Sequence, residues 1–317
     1  MALMFSLNIL HNLFSASLWR YSNHCGTGVS APLCLLYCTA IWPLRQATEI
    51  NTGPFTPEKI DKTHDMVYNT GKGKGADYLK KLKDIKGIFL DLGGTLVYPP
   101  SGSWLFSRLA YKYFPREKLA EPENMELVRR ANMELESDHL LSTTGEERER
   151  FARFYRTLAQ KLPELGITSG ELEEITDDKV YNMANFQIFD DTVETLEALS
   201  KKYRLGIISD NWPSVWDMLE QMDIGKYFHC ATYSFQLNAF KPSPAMYRDA
   251  LSKMGLPPEN TLFVDDLPGN VLGAQKEGIC PVLIRHPVHM GLMGHTEPIE
   301  GVHSIDRISG LLELLDI

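Results

Sequence analysis

At 317 residues, with 44% hydrophobic and 23% charged side chains, the chain has an ordinary globular composition, enough for one large domain or two modest ones. A formal net charge of −9 argues against a general nucleic-acid binder, which more often carries a basic face. Five cysteines make no even disulfide framework, and Cys34-x3-Cys38 lacks the second His or Cys pair of a zinc site, so a reducing compartment such as the cytoplasm fits best.

Residues 1–50 stand apart. Through residue 48 they contain no Asp, Glu or Lys, and Arg20 and Arg45 are their charged residues. His11 and Asn12 break the first apolar run, which a secretory signal would keep whole, and Ala31–Trp42 is too short to span a bilayer. The expectation is a poorly ordered extension with no stable membrane insertion; the lack of acidic residues keeps an organelle transit peptide as the alternative. Residues 51–85 read as a linker and lead-in helix. Their run Thr70-Gly-Lys-Gly-Lys-Gly75 lacks the spacing of a phosphate loop, and Ala76–Lys83 has the character of a short helix.

Ile88, Phe89 and Leu90 then form a compact apolar run that ends in Asp91 and two glycines, the pattern of a buried strand in an α/β sheet. After Val97 the period changes. Apolar residues at spacings of three and four predict helices over Ser103–Phe114, Pro122–Leu141, Glu146–Leu162 and Ser169–Phe186, a helical bundle. From Asp190 helix and strand alternate. The predicted strands are Arg204–Ser209, His229–Ser234, Thr261–Asp266 and Pro281–Arg285; the helices between them are Val215–Met222, Ala245–Met254 and Val271–Glu277. Such alternation implies a parallel sheet with right-handed crossovers. His286, His289 and His295 follow the last predicted strand at a spacing that fits no standard zinc site, so that segment reads as a surface loop.

Four polar positions fall at predicted strand ends or just beyond: Asp91, Ser209, Lys241 and the pair Asp265-Asp266. The stretch Asp91-Leu92-Gly93-Gly94-Thr95 resembles the Asp-x-Asp-Gly-Thr that opens the phosphatases of the haloacid dehalogenase superfamily, and the four positions together resemble its four motifs. The resemblance runs from about Gly87 to Arg285. It implies an α/β fold, a doubly wound parallel sheet with a Rossmannoid core over residues 86–97 and 187–317 and an inserted α-helical cap over 98–186. It further implies a Mg²⁺-dependent phosphohydrolase acting on a small phosphorylated metabolite. Asp91 would be the nucleophile that forms an aspartyl-phosphate, and Lys241 the catalytic cation. Thr95, Ser209, Asp210 and Lys241 would bind the phosphoryl group. Asp91, the Gly93 carbonyl, Asp265 and Asp266 would bind Mg²⁺, with Asp265 as ligand or orienter and Asn270 placed to hold a metal-bound water.

Two departures bear on mechanism. In the phosphatases the residue at position 93 is an Asp whose side chain protonates the leaving oxygen; Gly93 has no such group, a loss worth about 10²–10⁴ in rate. A water or His139 would have to substitute, although His139 also reads as a helix-surface residue. Asp210 stands where relatives usually carry Asn, and a carboxylate there should turn away from bound phosphate or find a cation. Trp212 should pack where the helices join the sheet. The competing readings are a binding or regulatory protein that kept the fold, and a haloacid dehalogenase, which Asp265-Asp266 disfavour because dehalogenation needs no metal. Oligomeric state and the identity of the substrate are open at this stage.

Overall fold

The computed structural model describes residues 82–286 and 298–317. The extension, all of the linker up to residue 81, His289 and His295 lie outside these residues. Leu82 and Ile85, at the end of the lead-in, are buried against the sheet. Among the described residues no helix is long and apolar enough to cross a membrane.

The strands in chain order are β1 Gly87–Leu90, β2 Val97–Tyr98, β3 Gln187–Ile188, β4 Arg204–Ser209, β5 Phe228–Tyr233, β6 Thr261–Asp265, β7 Cys280–Ile284 and β8 His303–Ile305. Six of them form one parallel sheet in the order β5-β4-β1-β6-β7-β8. β1 is central, and the chain order reverses on either side of it. Such a switch point is where open α/β sheets bind ligands, outside the carboxyl ends of the strands. The register fixes which side chains meet there. Leu90 pairs with Ile207 on one side and Val264 on the other, so Asp91 emerges beside Asp265, with Ser209 at the end of β4.

Alternation along the strands explains the two apolar layers. Ile88, Leu90, Leu205, Ile207, Leu262 and Val264 face one side, under helices α6 (Thr192–Ser200), α7 (Val215–Gln221) and α11 (Gly310–Leu314). Phe89, Ile208 and Phe263 face the other, under α9 (Pro244–Met254) and α10 (Pro268–Lys276). A short helix, α8 (Ser234–Leu237), follows β5. Burying each of these side chains contributes roughly 1.5–3 kcal/mol before entropy is charged against it. Pro281–Arg285 is not the last strand, contrary to the sequence reading. β8 pairs with β7 beyond it, and three residues with one apolar member offered no pattern to find.

Between β2 and β3 the chain builds a helical unit with its own apolar cluster. Its helices are α1 (Ala110–Tyr113), α2 (Arg116–Leu119), α3 (Pro122–Glu136), α4 (Thr144–Lys161) and α5 (Ser169–Tyr181). α4 and α5 each begin with a reciprocal capping box, Thr143 with Glu146 and Thr168 with Glu171. The long first helix expected over Ser103–Phe114 is absent apart from α1. Ser103 Oγ accepts the N–H groups of Leu105 and Phe106, and Ser107 Oγ accepts that of Ala110, so serine hydroxyls hold turns where helix was expected. α3 stops at Glu136 rather than Leu141: Ser137 turns extended, with ψ 141°, and Asp138 follows with a positive φ of 50°.

Candidate active site

The carboxyl ends of β1, β4 and β6 and the loop after α8 converge on one polar cluster. Lys241 is its centre. Its Nζ lies 2.8 Å from Asp91 Oδ1, and it donates to Asp265 Oδ2 at 2.7 Å and to the Ile208 carbonyl at 3.2 Å. Burial disfavours the ammonium, but the adjacent charges of Asp265 and Asp91 outweigh it and hold the lysine pKa well above its usual range.

Asp265 is fully engaged by protein donors. Oδ1 accepts from the Leu267 N–H at 2.8 Å and from Asn270 Nδ2 at 3.0 Å, while Oδ2 takes Lys241 and a longer contact from Asn270 at 3.1 Å. Burial pushes its pKa up to about 6 against the pull of Lys241. Burial also raises Asp266 well above the carboxylate range, reinforced by the charges of Asp265 and Asp91. Asp91, Asp265 and Asp266 each offer an oxygen within 4.8 Å of the others. Three carboxylates crowd one lysine.

The loop after β1 is shaped for this approach. Gly94 has φ +77°, and a Cβ there would fall 2.3 Å from Asp266 Oδ2, so only glycine fits on both counts. Thr95 is fully buried, and its Oγ1 has no hydrogen-bond partner. His286 secures this loop from below. Its ring stacks on Phe189 with centroids 3.6 Å apart, and its Nε2 donates to the Thr95 carbonyl at 3.0 Å. The reading of His286 as part of a surface loop is therefore corrected: it is buried between the Phe189 ring and the Thr95 carbonyl. Ser209 is buried at the end of β4. Asp210 is exposed, and its Oδ1 accepts the Lys241 backbone N–H at 3.0 Å. That carboxylate has found a donor on the loop carrying the cation.

Residues 85–278 match the family of haloacid dehalogenase-like hydrolases. The chain belongs to this family. It is 28% identical over 245 residues to a glyceraldehyde 3-phosphate phosphatase of Methanothermobacter thermautotrophicus, covering 73% of this chain and 100% of the relative. It is 30% identical over 212 residues to a phosphoglycolate phosphatase of Photorhabdus laumondii, covering 64% and 80%. Among solved structures, the L-2-haloacid dehalogenase of Xanthobacter autotrophicus superposes with a TM-score of 0.51 at 18% identity, over 73% of this chain and 98% of that one. The last likeness is one of fold.

As a haloacid dehalogenase-like hydrolase, the chain is unusual above the strand ends. Gly93 is not among the residues with positive φ, and a Cβ built on it would meet Trp104 Cζ2 at 3.0 Å and Cη2 at 3.1 Å. Trp104, from the helical unit, stacks in turn on Phe186. The Lys179 ammonium lies over both Phe186 and Phe151, at 5.3 and 4.6 Å, and Phe151 reaches Trp212 with centroids 5.0 Å apart. Trp212 packs against the apolar clusters of both sheet and helices, at the joint where its position put it. The nearby Glu147 carboxylate accepts from the N–H and Oγ of Ser214 at 2.7 and 2.8 Å. The sequence signalled none of Trp104, Lys179 or Glu147, because each reads as one more residue of a helical or turn pattern.

His139 is not on a helix surface. It is buried in the loop after α3, where its Nε2 lies 2.9 Å from the Asn211 carbonyl and its ring edge meets Trp212 at 4.3 Å. A carbonyl only accepts, so Nε2 carries the proton, and the bare Nδ1 is buried with no partner. Burial lowers its pKa, against the opposing pull of that carbonyl. A neutral histidine spent on a backbone carbonyl is poorly set to protonate a leaving group.

Proposed function

We propose that the protein is a Mg²⁺-dependent phosphohydrolase that moves the phosphoryl group of a small phosphorylated metabolite onto Asp91 and then to water. Lys241 carries this reading, through its position between Asp91 and Asp265 at the carboxyl edge of the sheet. Membership of the hydrolase family supports it, as do relatives named for glyceraldehyde 3-phosphate and phosphoglycolate. In this reading residues 98–186 are the cap over a core of 86–97 and 187–317.

The donor set suits a hard divalent cation. Asp91 Oδ1 is buried beside Lys241 without a well-aligned hydrogen bond, and the carboxylates outnumber the ammonium. Asp91, Asp266 and the Gly93 carbonyl would hold Mg²⁺; Asp265, saturated by three donors, would orient Lys241 and Asn270 instead of binding directly. Asn270 gives its amide nitrogen to Asp265, which leaves its Oδ1 as the atom that would accept from a metal-bound water. When bound, the ion supplies positive charge to the phosphoryl oxygens and relieves repulsion between carboxylate and phosphate. The chain does the rest. Asp91 presents its carboxylate to phosphorus, and Lys241 offsets the charge of the transferring group. Thr95 Oγ1 and Ser209 offer hydroxyls to its oxygens. Asp210, whose Oδ1 accepts the Lys241 backbone N–H, would brace the phosphate-binding loop that carries the ammonium.

Gly93 favours one other reading, a protein that binds a phosphorylated ligand with little or no turnover. Hydrolysis of an aryl phosphate with Mg²⁺, and again with excess chelator, decides between them. Metal-dependent release of phosphate is expected; its absence in a protein that still binds inorganic phosphate would establish the binding reading.

A further inference from the structure

Gly93 and Trp104 explain one another. Non-bonded carbons settle about 3.5–4.0 Å apart, whereas a side chain at position 93 would begin 3.0 Å from the Trp104 indole. The backbone of Gly93 is not left-handed, so the obstacle to an aspartate there is the ring. The Trp104 indole lies against the space that a side chain at position 93 would enter. Trp104 remains 36% exposed while Phe186 supports it from one side, so part of its ring is open to a ligand.

Resting on the phosphohydrolase reading, we infer that Trp104 is a specificity-determining residue. It selects phosphates whose bridging oxygen is bonded to an sp² carbon: aryl, enol or acyl phosphates. Two properties of one substrate class meet two features of one site. Such a leaving group is planar and can lie against the indole. Its oxygen is also acidic enough to depart without a proton. In the first step an Asp91 carboxylate oxygen forms a bond to phosphorus, and the bond from phosphorus to the bridging oxygen breaks, its electron pair leaving with the oxyanion. In the second, water adds to phosphorus and the aspartyl oxygen departs with its electron pair as carboxylate. Both protons of the water end on the released dihydrogen phosphate. Neither step calls on a side chain at position 93. The named relatives carry alkyl phosphates in their titles, so the inference sets this chain apart from them.

Binding can be tested without turnover. Calorimetry in Mg²⁺ would compare inorganic phosphate, methylphosphonate and phenylphosphonate on the full chain and on Trp104→Ala and Trp104→Phe. The intact protein should prefer phenyl- over methylphosphonate by about tenfold, the size of a single aromatic contact. Trp104→Ala should abolish that preference and leave phosphate affinity within about twofold, while Trp104→Phe, which keeps the stack, should retain most of it. Equal affinity for the two phosphonates in the intact protein, or a preference that survives Trp104→Ala, would overturn the inference and leave the phosphohydrolase reading standing. Failure to bind phosphate at all would remove both.

A second arm uses alkyl phosphates as poor leaving groups. Gly93→Asp alone should gain little, because the ring stands in the way, whereas Gly93→Asp with Trp104→Ala should turn them over at least tenfold faster than either single variant, within the range of general acid catalysis. Equal gains from Gly93→Asp with and without Trp104 would show that the ring does not hold that place.

Discussion

The floor of the site is four charged groups, Asp91, Lys241, Asp265 and Asp266, each within hydrogen-bonding or metal-binding reach of another. Its roof is a run of rings, Trp104, Phe186, Phe151 and Trp212, with the Lys179 ammonium laid over two of them. The floor is held by strand register and hydrogen bonds and tolerates almost no displacement. The roof is held by ring and cation–π contacts between elements far apart in sequence. On the proposed reading, the phosphoryl chemistry belongs to the first surface and the choice of substrate to the second.

Substitutions should separate the two surfaces, the floor giving the larger effects. Asp91→Asn should lower metal-dependent phosphatase turnover by at least about 10³-fold, since it removes the attacking carboxylate, with circular dichroism and melting temperature nearly unchanged; wild-type turnover would rule out the covalent route. Lys241→Met leaves Asp91 and Asp265 buried without their countercharge. It should destabilise the fold by roughly 3–5 kcal/mol in chemical denaturation and also abolish activity. If stability holds while activity falls, the lysine is a catalytic group without a structural role.

Magnesium should interact with pH through the same floor. Burial raises the folded-state pKa of Asp265 to about 6 and also raises that of Asp266 well above the ordinary value of 3.8. Without metal, their contribution to stability is complete below about pH 4 and is lost as pH rises through 6 and beyond. The ion would bind deprotonated Asp266 beside Asp91, so the rise in melting temperature on adding Mg²⁺ should be larger at pH 8 than at pH 5.5. An equal rise at both would mean that Asp266 does not hold it.

At the joint with the roof the expected effects are smaller. His139 has a lowered pKa when folded, so its contribution is present above the unfolded value of about 6.5 and is lost as pH falls below it. His139→Asn should flatten the fall in melting temperature between pH 7 and pH 5 by a few degrees, about the size of a 1 kcal/mol change. A curve that keeps its slope would assign the acid sensitivity to His286 or His303, whose pKa values burial also lowers.

The same division explains what the sequence disclosed. β4 begins and ends where its apolar run predicts, and the parallel doubly wound sheet followed from the alternation around it. Asp91, Ser209 and Asp265 could be found because each ends a strand, and a strand end is a local fact. Lys241 was found only through its likeness to a family pattern, since nothing near Phe240-Lys241-Pro242 says that its ammonium will turn inward. Trp104 was invisible. Its role depends on a missing side chain eleven positions earlier, and no periodicity links a turn residue to a glycine. His286 was misread for a related reason: it packs on Phe189 and Thr95, 97 and 191 positions earlier, and no local pattern joins them.

The ribbon of β2 and β3 also makes the molecule divisible. Val97 pairs with Ile188 and Tyr98 with Gln187, and the Tyr98 hydroxyl donates to Gln187 Oε1 at 2.8 Å, so the chain departs for the helical unit and returns from it through adjoining residues. Excision of residues 99–186 would leave two ends already facing each other across an antiparallel pair, a gap that a two-residue turn spans. The helices would depart with their own apolar cluster and would also withdraw Leu141, Met183 and Phe186 from the sheet's cluster, leaving a wound beside Trp212, which both clusters share. The covalent path into and out of the insert thus runs through one seam, while its contacts at Ser214 and Asn211 are non-covalent.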